Sequence, residues 1–313
     1  MGEYWFLVNV DKRKRSSSFS NLSTFFFMSL GYKDSITSTL TRYRLRFTKR
    51  MRRDFPNKPL KMSTLGNLSK LPMELVRMIF DEIDDIQDLI CLILTSHTLF
   101  CLGLNRLHQL ADLLSATHSW RGDRIVLYGD WSTDDDAPKG LLTEDDLKFL
   151  EERGIGWGSI KDRENGYEEE NSASEPGLGK YLASRDRDID MWDQADSADV
   201  RRYFHIIDSN NFYAEKPVLL NLSKKLYVVS EAFEKATGRF GLGNALQTRI
   251  CWTTVYPDSR DPPVCRGAWA GDRFILEDQA YVDRLVNDGE EWTDVTEEIA
   301  KELMTYWENR EEY

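Results

Sequence analysis

At 313 residues the chain has room for one small module and one domain of ordinary size, and a hydrophobic content of 41% places it in the globular class. Four scattered cysteines, Cys91, Cys101, Cys251 and Cys265, make no CxxC pair, which argues against a disulfide framework or zinc knuckle and agrees with a reducing cytoplasm or nucleus. The net charge of −12 is unevenly divided: residues 1–62 carry 14 Lys and Arg against 4 Asp and Glu, so the remainder is strongly acidic.

Residues 1–61 hold the tetrad Lys12-Arg13-Lys14-Arg15, a serine-rich stretch from Ser16, the apolar run Phe25–Met28 and a basic block from Arg42 to Arg53. Such low-complexity composition reads as a basic, disordered extension. A nuclear import signal, a mitochondrial transit peptide, or translation beginning instead at Met62 are the alternatives. The apolar run is too short to span a membrane. Tyr43, Phe47 and Phe55 interleave with arginines, which supports attraction to phosphates by charge alone, with no specific nucleic-acid motif.

From Leu68 to Leu110 three short helices are expected. Pro72 suits a first helical position and Glu74 lies in the first turn, near the positive helix end. Leu75, Met78, Ile79 and Ile83 recur at helical spacing. Asp84-Asp85 offers a cap for a second helix carrying Leu89, Ile90 and Ile93, and Thr95 or Ser96 caps a third carrying Leu99, Leu102, Leu107 and Leu110. A unit this small cannot bury so many leucines and isoleucines by itself, so another surface is expected to cover some of them.

The ordered series Leu71-Pro72-x-Glu74-Leu75, Ile79-Phe80, Asp88-Leu89 and Thr95-Ser96-x-x-Leu99 resembles an F-box. The chain departs from the family's commonest pattern at His97, Leu99 and Phe100, and places Gly103 inside the third helix. The resemblance implies a three-helix module over residues 62–114 that docks on a Skp-type adaptor through Leu71, Pro72, Leu75, Ile79, Phe80 and Leu89. Through that adaptor it implies a cullin-RING ubiquitin ligase, with the rest of the chain recognising a protein substrate. It implies no catalytic residue, metal or cofactor in this chain, because catalysis belongs to the partner proteins.

The remainder, residues 115–313, reads as a larger mixed α+β domain with a C-terminal helix. Arg124–Tyr128 is a strand candidate. Thr143 with Asp146 resembles a capping box opening a helix to Arg153, closed by Gly154, with Leu147 and Leu150 on its inner side. Residues 161–179 read as a solvated loop. Tyr203–Ile207 is a strand candidate, Val218–Leu222 and Leu226–Val229 a hairpin, and Leu246–Val255 a further strand. The phrases VLLNLSKKLYV and, from Trp269, WAGDRF are similar to segments of F-box-like proteins of mushroom-forming fungi. Asp294 and Glu297 cap a last helix whose stripe Val295, Ile299, Leu303 and Trp307 is expected to pack on its own domain.

Enzyme chemistry has little to stand on. No HExxH, GxSxG or phosphate loop occurs, and the glycines of TGRFGLGNA, residues 237–245, have the wrong spacing for a phosphate cradle and read as a loop between strands. His205, Asp208 and Cys251 make an imaginable nucleophilic trio, against which a lone core histidine is the plainer reading. Residues 130–200 hold 21 acidic against 8 basic side chains, which disfavours nucleic acid and anionic membrane and favours a basic partner or simple solubility. Of eight tryptophans after Leu110, Trp131 and Trp157 stand next to glycines and acidic loops and are the candidates for exposed substrate-binding side chains.

Overall fold

The computed structural model describes residues 4–16, 36–37, 39–41, 65–133, 137–161, 167–170, 216–253 and 266–310. Among them eight α-helices and two mixed sheets make an α+β protein. Residues 65–119 form one compact unit; the other draws on residues 4–41, 120–170 and 216–310.

The first unit consists of α1 (Met73–Asp81), α2 (Ile86–Leu94) and α3 (His97–His118), with a 3-10 turn at Gly66–Lys70 ahead of them. Pro72 sits one place earlier than expected, as the N-cap of α1, and its carbonyl accepts from the N–H groups of Leu75 and Val76. Asp85 caps α2 by accepting from the Gln87 and Asp88 N–H groups at 2.7 and 3.0 Å. Ser96 opens α3, its hydroxyl accepting from the Leu99 N–H at 3.2 Å.

Val76, Phe80, Leu89, Ile93, Phe100 and Leu107 form the core of this unit. Gly103 lets α3 come close: a Cβ there would lie 2.5 Å from Ile93 Cγ2 and 2.7 Å from Phe80 Cε1. Arg106 ties the α1–α2 turn to α3, its Nε donating to the Ile83 carbonyl at 3.0 Å while Nη2 pairs with Asp84 at 2.8 Å.

In the second unit β1 (Trp5–Asn9), β2 (Lys14–Ser16), β3 (Ile125–Gly129), β4 (Glu168–Glu170), β5 (Pro217–Asn221), β6 (Leu226–Val229), β7 (Cys251–Trp252), β8 (Phe274–Asp278) and β9 (Thr293–Asp294) make two sheets. Their orders are β4-β2-β1-β3-β7 and β8-β5-β6-β9. Strand β1 is the middle of the larger sheet, antiparallel to β2 on one side and to β3 on the other, with Leu7 opposite Leu127.

This corrects the expected extension over residues 1–61. Trp5 and Leu7 face one core while Val8 and Val10 face the other, a strict alternation that buries both faces of a strand. Ile36 and Leu40 are buried in the same domain. Its sequence boundary therefore falls at Trp120, and the domain begins well before the helical module rather than after it. The other parts of the 1–61 reading, including Phe25–Met28, the block from Arg42 to Arg53 and a start at Met62, lie outside the described residues.

Helix α4 (Glu144–Arg153) has the expected capping box, with the Thr143 hydroxyl accepting from Asp146 N–H and the Asp146 carboxylate accepting from Thr143 N–H. Gly154 closes it at φ 64°, the left-handed region that favours glycine. Leu150 turns inward as expected, but Leu147 is exposed, and Asp146 takes the second inner position because Arg124 meets it there. Glu168–Glu170, read as loop, runs parallel to β2, with Lys14 opposite Glu168 and Arg15 opposite Glu169 in backbone register.

Leu246–Ile250 of the strand expected at Leu246–Val255 belongs instead to α6 (Leu242–Ile250), Cys251–Trp252 is extended as expected, and residues 254–255 lie outside the described residues; α5 (Ser230–Thr237) precedes α6. Leu242, Ala245, Leu246 and Ile250 are spaced for one helical face, and all four enter the core. Gly238 and Gly241 accordingly lie between helices: the first ends α5 at φ 71°, and the second is the N-cap of α6, its N–H donating to Asn244 Oδ1 at 3.1 Å.

Helices α7 (Gln279–Asn287) and α8 (Thr296–Arg310) complete the fold. The stripe Val295, Ile299 and Leu303 packs into the domain's own core, and Trp307 meets Phe240 edge-on at 5.6 Å. The strand candidate Tyr203–Ile207 lies outside the described residues.

Candidate functional site

Helix α1 carries two apolar faces. Val76 and Phe80, four residues apart, point into the three-helix core with Ile83 packed against it. Leu75, Met78 and Ile79 lie on the neighbouring face and are 44%, 58% and 39% exposed. Leu71, in the extended segment ahead of α1, is half-buried, and Pro72, the N-cap, is exposed. At about 100° of rotation per residue, residues 75, 78 and 79 form one ridge, roughly a third of a turn from the buried face.

Of the six residues expected to meet an adaptor, two, Leu75 and Ile79, lie on this accessible ridge, while Leu71 and Pro72 stand in the extended segment just ahead of α1, the first packed against the module core and the second exposed. Phe80 and Leu89 are corrections: both are buried in the module's own core. Phe80 is one residue beyond Ile79 and so turns toward Gly103 of α3, and Leu89 is fully buried in the module's apolar cluster. Met78 is the member that motif reasoning left out. Its place at i+3 from Leu75 and i−1 from Ile79 was the signal that could have found it.

The two tryptophan candidates separate. Trp131, just past β3, is 44% exposed. Trp157 is 2% exposed and packs edge-on against Tyr128 at 5.4 Å, so it belongs to the core of the larger domain and not to a surface site. The reason is the Gly154 turn, which folds the segment after α4 back onto the sheet.

Groups with chemical potential elsewhere are engaged in structure. Cys101 Sγ lies 3.7 Å from His97 Nε2 on α3, but burial pushes the thiol pKa up, away from the nucleophilic thiolate. Burial lowers the His108 pKa, against the charge of Asp112. Cys251 is buried and its thiol donates to the Gln247 carbonyl at 2.8 Å, while His205 and Asp208, the other members of the imagined trio, lie outside the described residues. Among the described residues no cluster of three His, Cys, Asp or Glu side chains is placed to hold a metal ion, and no helix is long and apolar enough to cross a membrane.

The larger domain also has an open cavity of about 370 Å³, lined by Thr37, Ser230, Glu234, Arg239, Phe240 and Leu276 among others. Its polar wall is tied down: the Ser230 hydroxyl donates to Glu234 Oε1 at 2.7 Å, and the Arg239 guanidinium lies 4.0 Å from the Trp307 ring centre. Comparison with protein-family models, with curated proteins and with solved structures finds no match.

Proposed function

We propose that the chain is an F-box-like substrate-recognition subunit: its helical module binds a Skp-type adaptor and thereby a cullin-RING ubiquitin ligase, while the α+β domain captures a protein to be modified. One observation carries this reading. The module closes a core of its own with Val76, Phe80, Leu89 and Ile93, yet leaves the ridge of Leu75, Met78 and Ile79 accessible. A contiguous row of large aliphatic side chains on one helix is costly to leave in water and has the form of a helix face that a partner's groove takes up. On this reading the chain supplies recognition and its partners supply catalysis, and a cytoplasmic or nuclear setting follows from that partnership.

The test uses the full chain, because residues 4–16 belong to the larger domain's sheet. Mixed with a purified Skp-type adaptor, it should elute from size exclusion as a one-to-one complex by light scattering. Leu71→Ala combined with Pro72→Ala should weaken that complex without changing the thermal unfolding of the larger domain. A folded wild-type chain that elutes apart from the adaptor refutes the proposal. The second reading, a small-ligand receptor or enzyme with the helices as accessory, is favoured by the cavity beside Arg239 and Glu234; a small molecule retained through purification would support it.

A further inference from the structure

The ridge on α1 is framed by carboxylates. Glu74 lies one turn before Met78, and Asp81 and Glu82 lie three and four residues after it, so that all three border the ridge on the helix surface. All three are exposed, and none forms an ion pair among the described residues. Asp84, next in line, is engaged by Arg106, and Asp85 is spent on capping α2.

Local structure explains Glu74, which stands in the first turn where a negative charge is favourable. It does not explain Asp81 and Glu82. They are the last residue and the C-cap of α1, the negative end of the helix, and no basic residue occupies that last turn. Carboxylates there work against the helix dipole. Their charges make sense when something cationic is brought against them.

Building on the adaptor reading, we propose that the ridge enters an apolar groove on the partner protein whose rim carries lysine and arginine side chains placed against Glu74, Asp81 and Glu82. The aliphatic row then supplies the buried contact, and the carboxylate rim sets the orientation and the rate of encounter. Such an interface weakens as salt screens the rim, whereas its apolar centre does not.

Binding of the full chain to the purified Skp-type adaptor, measured by surface plasmon resonance at low and high salt, tests this. Asp81→Lys with Glu82→Lys puts cations at the helix end where they stabilise α1, so a loss of binding in this variant does not arise from unfolding. The expected result is a loss of affinity of about tenfold or more at low salt, mostly in the association rate, shrinking as salt is raised toward about 0.5 M. Glu151→Lys with Glu291→Lys, exposed positions in the other unit, changes net charge equally and should leave affinity within about twofold.

A Lys variant that binds as well as wild type, or better, overturns the basic rim; so does an equal loss in the control pair. Leu75→Ala with Ile79→Ala separates this outcome from failure of the adaptor reading. If that pair abolishes binding while the charge reversal does nothing, the ridge is the docking face and its rim is not basic. If wild type does not bind the adaptor at all, both proposals fall.

Discussion

Arg124 and Asp11, 113 residues apart in sequence, are locked together: the guanidinium donates to Asp11 Oδ1 from Nη2 at 2.6 Å and Nε at 2.8 Å, while the Arg124 N–H donates to Oδ2 at 2.8 Å. Arg124 also reaches Asp146 at 2.9 Å, and Arg273 reaches Asp11 at 2.7 Å. One turn residue of the β1–β2 hairpin thus anchors two later parts of the chain, and Arg124 joins a third to them. A protein starting at Met62 loses this anchor and the middle strand of the larger sheet. Such a chain is expected to lack the cooperative thermal transition of the α+β domain, read by near-ultraviolet circular dichroism. Arg124→Leu in the full chain should lower stability by about 3 kcal/mol, because two carboxylates then lose their buried cation.

The same cluster makes stability depend on pH. Burial opposes ionisation of Asp11, but hydrogen bonds and charge from Arg124, with the charge of Arg273, outweigh it and hold its pKa below the ordinary carboxylate value. Asp146 is likewise held low against burial, by Thr143 and Arg124. A carboxylate with a depressed folded pKa stabilises the native state above its unfolded pKa, near about 4, and that contribution is lost as pH falls through the folded value. Urea unfolding should therefore give nearly constant stability from about pH 7 to 5 and a decline below about pH 4. Asp11→Asn should be less stable at neutral pH and show a shallower acid decline; an unchanged slope would count against this account.

How far the residues announced this arrangement differs between the two units. Capping fixes helix starts locally, so Asp85, Ser96 and the Thr143–Asp146 box were legible from a few neighbouring residues. The β1 strand was not, since its five residues sit beside the KRKR tetrad and charge dominated the reading; only its pairing with β3, more than a hundred residues away, shows what it is. The run Leu246–Val255 reads as strand because a short apolar run carries either period, and the cap at Gly241–Asn244 that decides for a helix lies just outside the run. On α1 the ridge was legible as leucine and isoleucine at motif positions. Which of them face solvent was not, because that depends on where α3 lies.

Gly103 is what allows α3 to lie there. Alanine has the higher helix propensity by about 1 kcal/mol, so Gly103→Ala on an open helix would stabilise it. Here the added methyl meets Ile93 Cγ2 and Phe80 Cε1 well inside contact distance, and overpacking of this kind costs about 1–3 kcal/mol. The expected net effect is destabilisation of the helical unit and faster hydrogen exchange along α1 and α3. Exchange as slow as in the wild type would mean that the helices pack further apart than the structure shows.

Leu75 and Phe80 offer the sharpest separation between binding and folding. Phe80 fills the module core, and Phe80→Ala should cost about 3–5 kcal/mol, loosening the unit and reducing adaptor affinity only through that loss. Leu75 is 44% exposed and outside the module core, so Leu75→Ala should change unfolding free energy by less than about 1 kcal/mol. If the ridge docks in a partner's groove, that same substitution should weaken adaptor binding by about 1–2 kcal/mol, roughly five- to thirtyfold, measured by isothermal titration calorimetry. The two variants then move opposite observables. A Leu75→Ala chain that is stable and binds like wild type would leave the exposed ridge without the role assigned to it.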